Sequence, residues 1–335
     1  MLLALLLALQ GDEGYVAGYA AAILEREFSL KGVEVRFDRG RLTLRGDGWG
    51  ETDKDKVVAA LSKIPGVTRV ELLEGPATST GWELFPDWRL FRPLLADPRW
   101  PHFSWSYKVH SGEDDLLSES ASLNFGEFFS LAGYDSAGAG RFELGIQAGV
   151  FATFDMDAES FDLINADYMA GVPLAWRGGP VSAQLRFYHQ SSHLGDEFLL
   201  RTSIDRVNLS YEGVDLKVSF ALFEQLRLYA GAGYLLHTDP ADVKPGSAQA
   251  GAEFDSRAGW FGGFLSPVAA LDLQRPREGG NEIDISARLG VEFEKPDTAK
   301  RRVLLLVEYY RGNNPDGQFF DEKIETIGLG LHLHF

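Results

Sequence analysis

Residues 186–198, RFYHQSSHLGDEF, place two of the chain's seven histidines beside two serines and two carboxylates, and no other stretch offers comparable chemistry. His189 and Ser191 stand two residues apart. On an extended strand such residues share one face, so the imidazole can reach the serine hydroxyl and act as its general base, the pairing that makes serine nucleophilic. A third group should orient the imidazole. The next polar stretch, RTSIDRVNLSY, offers Asp205 on the same parity at a similar height, and Ser203 on the same row. The competing reading is the polar end of an ordinary strand, with His, Ser and Tyr acting only as hydrogen-bonding groups.

Long alternating segments must position these side chains. In RFELGIQAGVFATFDM the even positions from Phe142 to Met156 are apolar, and Arg141, Glu143, Gln147 and Thr153 interleave. NEIDISARLGVEFE repeats the pattern, with Ile283, Ile285, Ala287, Leu289, Val291 and Phe293 against Glu282, Asp284, Arg288 and Glu292. Runs of this length exceed an ordinary strand of about 5 to 6 residues and reach what a tilted strand needs to cross a bilayer. The chain has no continuous apolar run of helix-spanning length, so a membrane-spanning form must be a barrel.

Segment counting predicts a mainly β architecture: a transmembrane antiparallel barrel of about 12 strands, in the even-numbered range of bacterial barrels. The strands fall near 103–110, 119–132, 140–156, 166–176, 181–192, 203–222, 226–238, 248–255, 262–274, 281–294, 301–311 and 325–335. RGGP and FEQ become tight turns at one end; HTDPADVKPGS and RGNNPDGQFFDEK become long loops at the other. Trp100, Trp105, Trp176 and Trp260 suit interfacial girdles. Parity puts Val181, Ala183, Leu185 and Phe187 outward, and His189, Ser191 and His193 continue that row. His110, His237, His332 and His334 fall on the lumen side, and His332 with His334 offers a weak pair of metal ligands. In the sixth strand Val207, Leu209 and Tyr211 are expected outward, with a bulge at Glu212–Gly213 restoring parity.

The N-terminal part has a different grammar. Residues 1–12 are an apolar segment too short to span a bilayer, of secretory-signal type though without a basic start. Residues 13–76 alternate helix and strand as an αββαβ unit, 77–101 are a linker rich in Pro and Trp, and 102–335 form the barrel. The net charge of −17 argues against nucleic acid, whose phosphates need a basic stripe. The absence of cysteine excludes disulfides and thiolate metal sites. The acidic GEDD at 112–115 reads as a solvated loop.

Several resemblances attach to these motifs. The αββαβ order with GRLTLRG and PGVTRV resembles the BON domain, which implies a periplasmic module associated with membrane surfaces. The closing strand ETIGLGLHLHF, ending on Phe335, is similar to the C-terminal signature of outer-membrane barrels, and this implies recognition by the barrel assembly machinery. HQS on an outward strand resembles outer-membrane phospholipase A, a calcium-dependent lipid acyl hydrolase with a Ser-His-Asn triad. That resemblance implies His189 as base and Ser191 as nucleophile. Ser192 replaces the family's Asn, and the orienting group becomes Asp205 or Ser203. The family's calcium ligands have no counterparts, so Asp196 and Glu197 are merely the nearest oxygen donors for a hard cation beside the Ser191 or Ser192 amide. LLADPRWP with YHQSSHLGDE resembles a family of outer-membrane proteins of unknown function, which implies a fold and no activity. The expectation is therefore an outer-membrane barrel that either hydrolyses lipid acyl esters at the outer leaflet or serves as a narrow channel or envelope anchor. Membrane lipids, lipopolysaccharide and a second copy of the chain are the candidate partners.

Overall fold

The computed structural model describes residues 13–334, apart from 31–32, 39, 47–48, 50–51, 75–80, 112–116, 137–138, 203, 205, 208, 224, 242, 257–258, 262–263, 276–282 and 294–301. The expectations for residues 1–12, the GEDD loop, Ser203, Asp205 and Phe335 lie outside the described residues. The chain divides into two compact units, residues 1–80 and 81–335.

The first unit has the expected αββαβ order: α1 Glu13–Phe28, β1 Glu34–Asp38, β2 Arg41–Gly46, α2 Lys54–Leu61 and β3 Arg69–Glu74. β1 and β2 pair antiparallel, and β2 and β3 pair parallel. Val16, Ala20 and Leu24 recur every four residues on α1, so one face of the helix is apolar. That face packs on Leu42 and Leu44 of β2 and on Val57 and Leu61 of α2. Asp53 caps α2 by accepting the Lys56 backbone N–H at 3.3 Å.

The second unit is a closed cylinder. Twelve antiparallel strands form it: β5 Phe103–His110, β6 Glu119–Ser136, β7 Gly140–Asp155, β8 Leu163–Gly178, β9 Val181–Leu194, β10 Ser210–Ala221, β11 Leu226–Asp239, β12 Gly246–Asp255, β13 Leu265–Arg275, β14 Asp284–Phe293, β15 Arg302–Asn313 and β16 Lys323–His334. Each pairs with its chain neighbours, and β5 closes the ring by pairing with both β6 and β16. A short extra strand, β4 Gly81–Leu84, extends the wall beside the last residues of β6. The near end of the cylinder carries the β5 start, the β16 finish and the short connections after β8 and β10; the far end carries the loops that follow β9 and β15. One of these contains a helix, α3 Asp196–Thr202.

On the wall, large apolar side chains face outward and charged ones face inward. Phe125, Phe129, Ile146, Val172, Phe187, Leu216, Leu289 and Leu329 are exposed on the outer wall. Glu143, Asp167, Arg186, Asp215, Arg227, Glu253, Asp272 and Arg288 are buried inside. Several of these charges are paired: Arg186 meets Asp215 at 2.6 Å and Arg227 meets Glu253 at 2.8 Å. A buried charge needs such a partner.

The stretch between β4 and β5 fills the cylinder as an internal plug. Leu90, Phe91, Leu94 and Trp100 pack against Ala175 and Tyr229, while Leu95 and Ala96 pack against Val268, Ala270, Leu304 and Leu306. Wall side chains satisfy the plug's backbone. The Leu90 N–H donates to Glu143 at 2.8 Å, the Leu95 N–H to Glu253 at 2.7 Å, and Arg227 donates to the carbonyls of Arg92 and Pro93 at 3.0 and 2.7 Å. Trp100 is 0% exposed in this core, which corrects its expected place in an outer girdle. Its apolar surface is satisfied by the plug cluster, whereas Trp105 and Trp260 are exposed as expected.

At the far end the loop after β15 folds inward. Its Gly317 N–H donates to Asp167 at 3.0 Å, the Gln318 amide donates to the carbonyls of Ser192 and Val207, and Phe319 packs on Ile164 and Phe198.

Two parity expectations are corrected. Strand six starts at Ser210, not near 203, and alternates without interruption to Ala221. Leu209 and Tyr211 are therefore inside, packed with Phe151, Met169 and Tyr188. The register does shift at Glu212/Gly213, but Glu212 pairs with His237 and Gly213 with Leu235, so the extra residue is Leu236 on β11. That bulge turns His237 to the outer surface.

Candidate active site on the outer wall

His189 and Ser191 lie on β9, whose hydrogen-bonded neighbours are β8 and β10. Outward parity holds through the whole strand: Phe187, His189 and His193 are exposed while Arg186, Tyr188, Gln190 and Ser192 are buried. His189 faces Glu212 across the β9–β10 ladder, and Ser191 faces Ser210. The wall thus presents an imidazole, a hydroxyl and a carboxylate together.

Glu212 is the carboxylate beside His189 that the sequence reading did not place there. Its Oε1 lies 2.8 Å from His189 Nδ1, and its Oε2 lies 3.1 Å from His237 Nδ1. An Nδ1 that meets a carboxylate carries the proton, so neutral His189 presents the lone pair of Nε2. This is the tautomer a general base needs. The signal was present in the sequence as an isolated charge in an otherwise apolar outward row, Glu212, Val214, Leu216, Val218 and Phe220. Assigning the bulge to β10 concealed it.

No hydrogen bond joins His189 to Ser191 among the described residues. Ser191 is half-buried between Tyr168 of β8 and Ser210 of β10. His193 continues the row, its ring edge-on to Tyr168 at 5.7 Å and its Nδ1 3.5 Å from an Arg206 nitrogen. Ser192 points inward and donates to Asn165 at 3.0 Å, while its backbone N–H donates to the Leu209 carbonyl at 2.9 Å. That amide is engaged in pairing and is no spare oxyanion donor.

Asp196 and Glu197 are exposed on the first turn of α3. Adjacent positions on a helix do not face one another, and calcium takes 6–8 oxygen ligands. Among the described residues no three His, Cys, Asp or Glu side chains converge to hold a metal. The residues present do not fit a calcium site.

His332 and His334 point into the lumen as expected. There they meet a third histidine, His102, from the base of the plug: its Nε2 lies 2.8 Å from His332 Nδ1. The His102 ring is stacked on those of His332 and His334 at 5.1 and 4.7 Å. Hydrogen bonding and stacking account for this trio as a structural joint between plug and wall.

No curated protein matches the chain. Among solved structures, outer membrane phospholipase A from Escherichia coli is similar at 13% identity and TM-score 0.47, covering 70% of this chain and 90% of that one. A Salmonella typhi outer membrane phospholipase dimer with bound calcium is similar at 12% identity and TM-score 0.47, covering 70% and 91%. The KdgM porin is similar at 9% identity and TM-score 0.37, covering 70% and 98%. A family described as "Protein of unknown function (DUF1207)" matches residues 76–335, a span that takes in β4, the plug and all twelve strands of the cylinder, and the chain belongs to it.

Proposed function

We propose that this chain is an outer-membrane barrel that hydrolyses lipid acyl esters from its outer wall, with a BON-like N-terminal module on the periplasmic side. The observation that carries the proposal is the His189 imidazole held outward by Glu212 beside Ser191. An exposed apolar wall meets hydrocarbon, and the polar row lies toward the far end, at headgroup height, where ester bonds lie. The plug disfavours a channel, whereas chemistry on the outer wall does not need an open lumen.

In this reading Ser191 Oγ attacks the acyl carbonyl of a membrane lipid as His189 Nε2 takes its proton. The tetrahedral intermediate collapses, and the departing lysolipid oxygen receives that proton. His189 then deprotonates a water that attacks the acyl-serine, releasing a fatty acid and restoring Ser191. Glu212 offsets the charge of the transient imidazolium, the role expected of Asp205 from the sequence. The first step requires the Ser191 hydroxyl to reach His189 Nε2 when a lipid binds, since no hydrogen bond joins the two side chains among the described residues.

A second reading has its own support. Glu212 bridges His189 and His237, and the Ser192 amide is engaged, so the row also suits a headgroup-binding surface on a non-enzymatic envelope barrel.

The test gives the purified chain in detergent a phospholipid or lipid A, with and without a chelator, and measures released fatty acid. Hydrolysis that disappears in Ser191→Ala and survives chelation supports the enzyme. Equal release by wild type and Ser191→Ala, or none by either, leaves the binding reading.

A further inference from the structure

Inside the far half of the cylinder lies a cavity of about 140 Å³, floored by plug residues Asp97–Arg99 and roofed by the inward-folded loop around Gly317. It is separate from the outer-wall site. The inward row of β11 holds glycines beside this cavity: Gly231 stands between Lys217 of β10 and Gln249 of β12 on one rung of the sheet, and the Lys217 stem lies across the gap that a side chain there would fill.

The two sides of this gap carry opposite charge. Arg186 and Lys217 share one carboxylate, Asp215, at 2.6 and 3.2 Å, which leaves one positive charge in excess. Lys217 is 6% exposed and has three N–H donors, with Asp215 its one partner among the described residues. Across the gap Asp97, also 6% exposed, accepts among the described residues from neutral donors: the Arg99 backbone N–H at 2.9 Å and the amides of Gln249 and Gln274 at 3.0 and 3.3 Å. Arg99 itself is spent on Asp167 at 2.6 Å. A buried ammonium with spare donors thus faces a buried carboxylate without a cation.

We infer that this cavity binds a small zwitterion of the amino-acid class, its carboxylate on Lys217 and its ammonium on Asp97. Lys217 and Gln249, whose amide holds Asp97, stand two strands apart with Gly231 between them, so the ammonium and the carboxylate line one cavity from opposite sides of that glycine. A single anion would satisfy Lys217 and oppose Asp97; a single cation would do the reverse. Entry is available from the far end, where a second cavity lined by Lys244 and Pro245 shares Ser247 and Ala248 with the first.

Titration calorimetry on the full chain in detergent tests this with three probes: L-alanine, propionate and isopropylamine. Alanine should bind, and the two singly charged analogues should bind at least tenfold more weakly. Lys217→Gln and Asp97→Asn should each lower alanine affinity at least tenfold, while Lys217→Arg stays within a few-fold of wild type. Absence of alanine binding to wild type, equal binding of either analogue, or full affinity in a folded Lys217→Gln variant overturns the assignment. The analogue comparison uses only the wild-type protein, so it decides even if the variants fail to assemble.

Discussion

Glu212 concentrates the residue-scale argument. Its two oxygens hold two imidazoles, yet His189 and Glu212 are about half exposed and His237 is more so, and the contacts contribute at most about 1 kcal/mol each to stability. Their consequence is orientation. Glu212→Gln should leave thermal unfolding nearly unchanged while lowering ester hydrolysis by roughly 10²–10⁴-fold, the range for general base catalysis. His237→Ala, which removes the competing imidazole, should leave hydrolysis intact or raise it. Loss of activity in His237→Ala equal to that in Glu212→Gln would assign the cluster to headgroup binding. His189 and Ser191 were legible in the sequence because outward parity on β9 is unbroken. The orienting carboxylate was not, since one extra residue, Leu236, reverses the facing of everything beyond it on β11 and local alternation cannot say which strand of a pair carries a bulge.

The plug dominates among the elements. The sequence reads residues 77–101 as a connection, because Pro and Trp interrupt any periodicity and an irregular stretch carries no signal of what will surround it. Only the wall, with Glu143, Glu253 and Arg227 turned inward at matching heights, makes the segment's backbone satisfiable. Arg227→Met removes the cation between Glu253 and two plug carbonyls, and should destabilise the fold by about 3–5 kcal/mol, read as a lowered unfolding temperature in detergent. The far-end loop carries a pH dependence of its own. Burial first, and then the neighbouring Asp167 carboxylate, push the Asp316 carboxyl above its ordinary range. A raised acid binds more protons in the folded state, so its contribution falls as pH rises from the ordinary value of 3.8 through the raised one. Asp316→Asn should therefore stabilise the chain at neutral pH and have little effect at pH 3; the same thermal shift at both values would contradict this account. Eleven of the twelve strands, by contrast, stand within a few residues of where alternation places them, and the sixth begins at Ser210 rather than near 203.

For the whole molecule, the decisive quantity is the medium around the wall. Leu289 is 64% exposed at the middle of β14, and Leu289→Arg should cost roughly 2–4 kcal/mol of folding stability in lipid vesicles. No cost would mean that the wall faces something other than hydrocarbon. Reconstituted in planar bilayers, the wild-type chain should give no steady conductance, since the lumen is occupied by its own residues.

The ring closes where β5 meets β16, and the plug is joined directly to β5. The seam's first stave therefore arrives with the filling already tethered to it, and His102 docks that filling on His332 and His334 of the stave that completes the circle. In a cylinder built this way the staves and their filling share one closing seam. Side chains of the plug thus govern whether the cylinder shuts at all, and damage to Trp100 should surface as unfinished assembly long before it surfaces as a leak.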